Sequence, residues 1–415
     1  MTNYLKIAFI APFGLKAKGT VGARILPLAE ALVGCGHQVR VIVPPWDDPP
    51  GSPVLRKNHL ERIGGVEVLT LPLRPAPLVL SLPVRLAQAA LEFKPDLIHV
   101  FKPKAYSGLA ALLLVLKGQP FVLDADDWEG PGGWNDRNPY SSLQKRLFAW
   151  QERDLPKRAS AVTVASRTLQ SQAWGFGLTP ERVCYLPNGV SRQKYGKWSG
   201  VEVEQAARQW RGRLGLTDNT VLLAYTRFAE FKPERLLRLV KATLERLPQA
   251  EAARVRLLVV GGGFFGEEQH LKELAIPYGL ADKIVVTGQA AWEDLPGLLR
   301  VGEVALYPFD DNLINRARCS VKFLELLLAE RPVVTEAVGE LGEYLRESSG
   351  GQLVSPGDEA AFAAATAALL QTDSTTCHNI GQAAATHLWQ NYDWTHLVER
   401  VEGLYKEILC ERPST

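Results

Sequence analysis

Val221-Leu-Leu-Ala-Tyr-Thr226 is an apolar run of strand length, followed at once by Arg227 and, five residues later, by Lys232. A second stretch, Ser320-Val-Lys-Phe-Leu-Glu325, opens a helical pattern that runs through Ala329. Apolar strand, polar loop and amphipathic helix in succession are the pattern of a parallel sheet covered on its faces. Open sheets of this kind take ligands at the carboxyl ends of their strands. Two basic side chains on one such loop suit a diphosphate. A carboxylate one helical turn beyond a lysine suits ribose or sugar hydroxyls. Together the two stretches read as a site for a nucleotide sugar.

The same alternation extends in both directions. Beyond Thr226, strands are expected over 255–260, 284–287, 304–307 and 332–334, with Gly261-Gly-Gly263 after the first of them. Before it, strands are expected over 6–11, 39–43, 66–71, 97–100, 120–123, 161–164 and 183–186, and helices over 25–33, 107–116 and 141–159. Residues 191–215 are charged, contain Gly and Trp, and lack strand character, so they read as a linker. The chain is therefore expected to be α/β, with two Rossmann-like doubly wound domains facing across a cleft that holds the active site. The apolar stripe Leu397, Val401, Leu404, Ile408 has helical spacing and is expected to be a packed C-terminal helix.

Composition bounds the rest. A chain of 415 residues exceeds one ordinary core, and 46% hydrophobic with 22% charged residues is a globular balance. No apolar run reaches the ~18–20 residues of a membrane span, and the strand near Ile7 begins without a leader pattern, so a cytoplasmic location is expected. Five scattered cysteines suit free thiols, with Cys319 read as a small buried residue, and seven unclustered histidines indicate no zinc site. The net charge of +2 hides a division: residues 1–195 carry 24 Lys and Arg against 15 Asp and Glu, and the remainder 23 against 30. A basic first half suggests that the first domain faces something anionic: a membrane surface in peripheral contact, an anionic acceptor or nucleic acid. The apolar, Pro-rich stretch 71–91 is a second candidate for the acceptor side or that surface. No aromatic–basic interleaving points to nucleic acid.

Two further loops carry candidate residues. Pro12–Gly22, with Gly19 and Thr20, follows the first strand and could bring backbone amides to a phosphate, although its spacing is not that of a dinucleotide fingerprint. Asp124, Asp126, Asp127 and Glu129 place four acids within six residues after an apolar strand. One reading is a divalent-metal site on Asp124 and Asp126; the other puts Asp126 or Asp127 against a sugar hydroxyl without metal. Pro187-Asn188-Gly189 is a turn by composition and falls at the domain junction.

These residues carry a family resemblance. Gly19-Thr20, Gly36-His-Gln-Val39, Arg227 with Lys232, Val259-Val-Gly-Gly-Gly263, Thr287-Gly288, Pro308, Lys322-x-x-Glu325 and Arg331-Pro-Val-Val334 resemble the GT-B-fold retaining glycosyltransferases of family 4, the group 1 glycosyltransferases. The resemblance implies an N-terminal, acceptor-side domain over 1–190, a linker over 191–215, a donor-side domain over 216–385 and a crossover helix over 386–415 that packs back on the first domain. It implies metal-independent transfer of a sugar from a nucleotide sugar to an unidentified lipid, saccharide or small-molecule acceptor, with retention at the anomeric carbon. Arg227 and Lys232 would neutralise the leaving diphosphate, Glu325 would bind the donor ribose, and Gly19, Gly263, Ser320 and Lys322 would complete the donor site. Thr20, Asp127 and Asn188 are acceptor or interdomain candidates. The chain departs from the family at two places: Ala317 stands where the first of two spaced glutamates is common, and Asp126 where a histidine is common. A nucleotide-sugar epimerase or hydrolase, and a non-catalytic nucleotide-sugar-binding protein, are the alternatives.

Overall fold

The computed structural model describes residues 4–15, 19–45, 57–72, 81–263 and 265–410. Two compact units emerge. Unit 1 comprises Met1–Gly189, Ala317–Cys319 and Trp394–Thr415, and unit 2 comprises Val190–Arg316 and Ser320–Asp393.

Unit 1 is built on an eight-stranded sheet: β1 (Lys6–Ile10), β2 (Gln38–Val43), β3 (His59–Ile63), β4 (Val66–Thr70), β5 (Leu97–Phe101), β6 (Phe121–Ala125), β7 (Ala161–Val164) and β8 (Val183–Tyr185). Their order is β3-β4-β2-β1-β5-β6-β7-β8. β1 pairs in parallel with both β2 and β5. The chain thus winds outward on one side of β1, returns, and winds outward on the other, so the switch point lies between β1 and β5. The loops after those two strands are where such a sheet presents its ligand-binding groups.

One pair breaks the parallel rule. β3 and β4 are antiparallel, with Ile63 opposite Val66. The cause is local and lies in Gly64-Gly65, whose φ angles of 55° and 85° satisfy the positive-φ demand of a two-residue hairpin turn. The sequence reading placed no strand at 59–63, because it did not use that dipeptide.

Unit 2 carries a six-stranded, wholly parallel sheet of β9 (Thr220–Tyr225), β10 (Val255–Val260), β11 (Ile284–Gly288), β12 (Val304–Tyr307), β13 (Val333–Glu336) and β14 (Gly351–Val354). The order β11-β10-β9-β12-β13-β14 puts its switch point between β9 and β12. Residues 191–215, read from sequence as a linker, hold the helices Arg192–Tyr195 and Val201–Arg213 within unit 2. Val203 and Ala207, four residues apart, give the longer of these a buried stripe.

The final helix, Trp394–Cys410, belongs to the core of unit 1. Trp394, Leu397, Val401, Tyr405 and Ile408 recur at three- and four-residue steps and pack in one cluster with Ile7 and Phe9 of β1, Val39 and Val41 of β2, and Ile25 and Leu28 of the first helix. The expected stretch 71–91 is only partly described: residues 73–80 lie outside the described residues, and the helix Leu82–Glu92 follows. Truncation of Trp394, which is 2% exposed, is expected to show how far the terminal helix supports unit 1. Trp394→Ala should cost about 3–5 kcal/mol, read as a lowered chemical-denaturation midpoint; an unchanged midpoint would contradict this packing.

Candidate active site

In unit 1 the four acids after β6 have different fates. Asp124 is fully buried and receives two bonds from Arg24: Nε to Oδ1 at 2.8 Å and Nη2 to Oδ2 at 2.6 Å. Thr163 Oγ1 donates to the same Oδ2 at 2.5 Å. Three donors thus already engage both oxygens of Asp124. Among the described residues no group of three or more His, Cys, Asp or Glu is placed to hold a metal ion.

Arg24 stands on a π-helical turn, Val21–Ile25, in the helix that follows the Gly19 loop. It also donates to Leu186 O at 2.8 Å and to Asn188 Oδ1 at 3.2 Å. Burial alone would lower its pKa, but the charge and hydrogen bonds of Asp124 hold it above the ordinary arginine value. Asn188 is itself buried and donates from Nδ2 to Cys319 O at 2.9 Å. Its side chain is thus committed to holding two segments of unit 1 together.

A neutral relay backs this ion pair. His99 Nε2 lies 3.1 Å from Thr163 Oγ1 and Nδ1 lies 2.7 Å from the Tyr405 hydroxyl. Because Thr163 gives its only proton to Asp124, it accepts from His99 Nε2–H, and Nδ1 accepts from Tyr405. Burial lowers the His99 pKa to about 3, which keeps the ring neutral as this pattern requires.

Asp126, Asp127 and Glu129 share the ammonium of Lys102, the residue directly after β5. Lys102 has a left-handed backbone (φ 61°) and is 3% exposed. Its Nζ donates to Asp127 Oδ2 at 2.8 Å and to Glu129 Oε1 at 3.4 Å, and lies 3.0 Å from Asp126 Oδ1. That last approach is close enough for an ion pair, yet Asp126 Oδ1 makes no aligned hydrogen bond. Burial consequently dominates and pushes the Asp126 carboxyl up to about 6, with Lys102 opposing the shift and Asp127 and Asp124 adding to it. Asp127 is only partly buried. Gly19 is exposed, Thr20 is partly buried and both open the first helix; residues 16–18 of that loop lie outside the described residues.

In unit 2 the loops flanking the switch point carry the other candidates. Arg227 follows β9 by two residues; its Nε lies 3.9 Å from Glu230 Oε1, and its side chain is 45% exposed. Glu230 is buried and is fixed by bonds from Thr226 Oγ1 and Ala229 N, both 3.1 Å. Lys232 is exposed and stands just before the helix Pro233–Leu244. Gly261, φ 112°, lets the loop after β10 approach the loop after β9, since an added Cβ would meet Thr226 O at 2.1 Å. The Gly263 N–H is already taken by Glu268 Oε2 at 2.7 Å.

The helix Val321–Leu328 follows the second loop. Ser320 Oγ, just before it, bonds the Tyr307 hydroxyl at the end of β12 at 2.7 Å. The Lys322 ammonium sits over the Tyr225 ring, 3.5 Å from its centroid, and burial lowers its pKa to about 8 against the opposing charges of Glu325 and Glu230. Glu325 is 5% exposed and accepts from Tyr225 at 2.9 Å and Tyr195 at 3.2 Å. Burial raises its pKa, opposed by Lys322 and Lys194. Arg24, Lys102, Tyr195, Tyr225 and Glu230 were not found by sequence reasoning. Of these, only Glu230, three residues after Arg227, had a local signal.

Two doubly wound, parallel-sheet units define a GT-B-type α/β architecture, and the comparisons agree. The model of the glycosyl transferase 4-like domain matches residues 19–189 and that of the glycosyl transferases group 1 matches residues 219–372. The chain belongs to the group 1 glycosyltransferases. It is 25% identical to a phosphatidyl-myo-inositol mannosyltransferase of Mycobacterium leprae over 423 residues, covering 97% of each chain. A D-inositol 3-phosphate glycosyltransferase of Acidothermus cellulolyticus is 27% identical over 242 residues, 57% of this chain and 50% of that protein. The chain thus spans about half the length of that relative. Among solved structures, Anabaena HepE in complex with UDP and glucose matches with a TM-score of 0.67 at 20% identity, over 97% of this chain and 100% of that one, a likeness of fold.

The raised Asp126 pKa has a stability consequence. The protonated carboxyl is favoured by the fold, so its stabilisation is complete below the unfolded value of 3.8 and is lost as pH rises through about 6. Asp126→Asn mimics the protonated form and should stabilise the protein by about 1–3 kcal/mol at pH 7. That gain should shrink toward pH 4 in chemical unfolding. A destabilised variant at pH 7 would mean that the Lys102 pairing outweighs burial.

Proposed function

We propose that this glycosyltransferase moves a sugar from a nucleotide-diphosphate sugar to an acceptor, with retention at the anomeric carbon and without metal. The observation that carries the reading is the arrangement on the carboxyl edge of the second sheet. Arg227 and Lys232 follow β9, Lys322 and Glu325 follow β12, and the switch point lies between those strands. Relatives named as mannosyl- and inositol phosphate glycosyltransferases, and a fold neighbour crystallised with UDP and glucose, support a nucleotide-sugar donor.

On this reading Arg227 and Lys232 stabilise charge on the departing diphosphate, where glycosyl transfer most needs help. Lys322 and Ser320 contact the donor, and Glu325 accepts its ribose hydroxyls. Asp126 accepts a sugar hydroxyl or stabilises a developing positive charge at the anomeric carbon. The acceptor oxygen attacks from the face the diphosphate leaves, so no protein nucleophile is required. The acceptor is a lipid, a saccharide or a small molecule. No helix among the described residues is long and apolar enough to cross a membrane. On this reading the protein is cytoplasmic, and its basic first half supports contact with an anionic membrane surface.

The test is turnover of UDP-, GDP- and ADP-sugars with and without EDTA, with the anomeric configuration of the product followed by NMR. One donor used equally in EDTA, with retention, is the expected result. Donor consumption without acceptor would favour an epimerase or hydrolase, and binding without turnover a non-catalytic protein. Arg227→Ala and Lys232→Ala should each cost about 100-fold or more in transfer rate; near-normal rates in both would remove them from the mechanism. The Lys322 ammonium is charged below about 8, so nucleoside-diphosphate affinity should fall as pH rises through that value. Lys322→Arg should flatten the dependence up to pH ~10, because arginine stays charged.

A further inference from the structure

We propose that Tyr225 and Tyr195 are positioning residues of the donor site: together they aim the Glu325 carboxylate, and Tyr225 also holds the Lys322 ammonium. This rests on the donor-site reading above. Tyr225 is the last residue of β9, in the interior of unit 2, and Lys322 and Glu325 lie on one turn of the helix that follows β12. A single tyrosine thereby meets both members of the pair. Its hydroxyl donates to Glu325 Oε2 at 2.9 Å, and its ring face lies 3.5 Å from the Lys322 nitrogen, within the range of a cation–π contact.

The second tyrosine completes the geometry. Tyr195 donates to Glu325 Oε1 at 3.2 Å, so each carboxylate oxygen receives one hydroxyl. A carboxylate has about four acceptor positions, two on each oxygen. Each oxygen thus keeps capacity for about one more bond, the number a vicinal diol of ribose would supply. The tyrosines are neutral donors at any working pH, because burial and the Glu325 charge both raise their pKa values. Tyr195 is in turn braced by Trp198 and Trp292, with ring centroids 5.2 and 5.6 Å away.

A purely structural role explains the arrangement poorly. A buried carboxylate beside a partly buried ammonium is costly to desolvate, and an apolar pair of similar volume would serve the fold as well or better. The tyrosines keep that charged pair in one orientation.

The experiment is calorimetric titration of the full chain with UDP, GDP and ADP, using whichever binds the wild type. Tyr225→Phe keeps the ring beneath Lys322 and removes only the hydroxyl; the dissociation constant should rise about tenfold, the scale of one hydrogen bond to a charged acceptor. Tyr195→Phe should weaken binding several-fold by the same route, and Tyr225→Leu should lose about threefold more than Tyr225→Phe as the ring contact goes. In a Glu325→Ala background, Tyr225→Phe should change affinity less than twofold, because the hydroxyl has nothing left to aim. An equal tenfold loss in both backgrounds would show that the hydroxyl acts on the fold and would overturn the proposal. So would unchanged affinity in both tyrosine variants. A wild type that binds none of the three nucleotides would overturn the donor-site reading itself, and this proposal with it.

Discussion

A parallel β ladder cannot be closed by a tight turn, so each strand must be followed by a crossover that returns to the same end of the sheet. Every strand of unit 2 obeys this constraint, and its consequence is that all loops at the carboxyl ends gather on one edge. β9 and β12 are neighbours in space although some eighty residues separate them in sequence, and Arg227 and Lys322 come from the two loops that follow them. Unit 1 repeats the arrangement about β1 and β5. Lys102 directly follows β5, and the helix that carries Arg24 is the first after β1. The polar chemistry of each unit is thus placed by backbone hydrogen bonding before any side chain is chosen.

What the side chains then decide is how buried charge is compensated. Asp124 and Asp126 are two residues apart, but Arg24 and Thr163 occupy both oxygens of the first. The second lies beside a shared ammonium with one oxygen unaligned. The first arrangement satisfies a buried anion fully, and it ties the first helix, β6 and the segment after β8 together. The second leaves a carboxyl whose pKa is displaced upward by burial.

The sheet was legible because apolar runs of strand length alternate with helical periods, and the positions of Arg227, Lys322 and Glu325 after such runs were legible for the same reason. The hairpin at Gly64-Gly65 was missed although its signal is local. The terminal stripe from Leu397 to Ile408 declared a helix, but no local pattern says that it completes the core containing β1. Tyr225 reads as one more apolar strand residue, and nothing near it announces a partner 100 residues further along. Arg24 is likewise separated from Asp124 by 100 residues, and only the sheet order brings them together. Partner identity at that range is a property of topology, and a single chain carries no local trace of it.

The two groups of charged residues that follow β9 and β12 differ in a way that follows from their solvation. Arg227 and Lys232 reach solvent, so they carry little desolvation cost, and their attraction for an approaching anion extends over about a Debye length in salt. Glu325 is buried, Lys322 is partly buried, and both are held by tyrosines; their interactions are shorter in range than those of exposed charges. On the proposed reading, exposed charges of the first kind draw in any diphosphate. On the same reading, the oriented pair of the second kind discriminates by geometry, because a ligand that does not match it leaves polar groups unpaired. On the proposed reading, capture and selection of the donor are therefore separate tasks, assigned to loops from adjacent strands of one sheet.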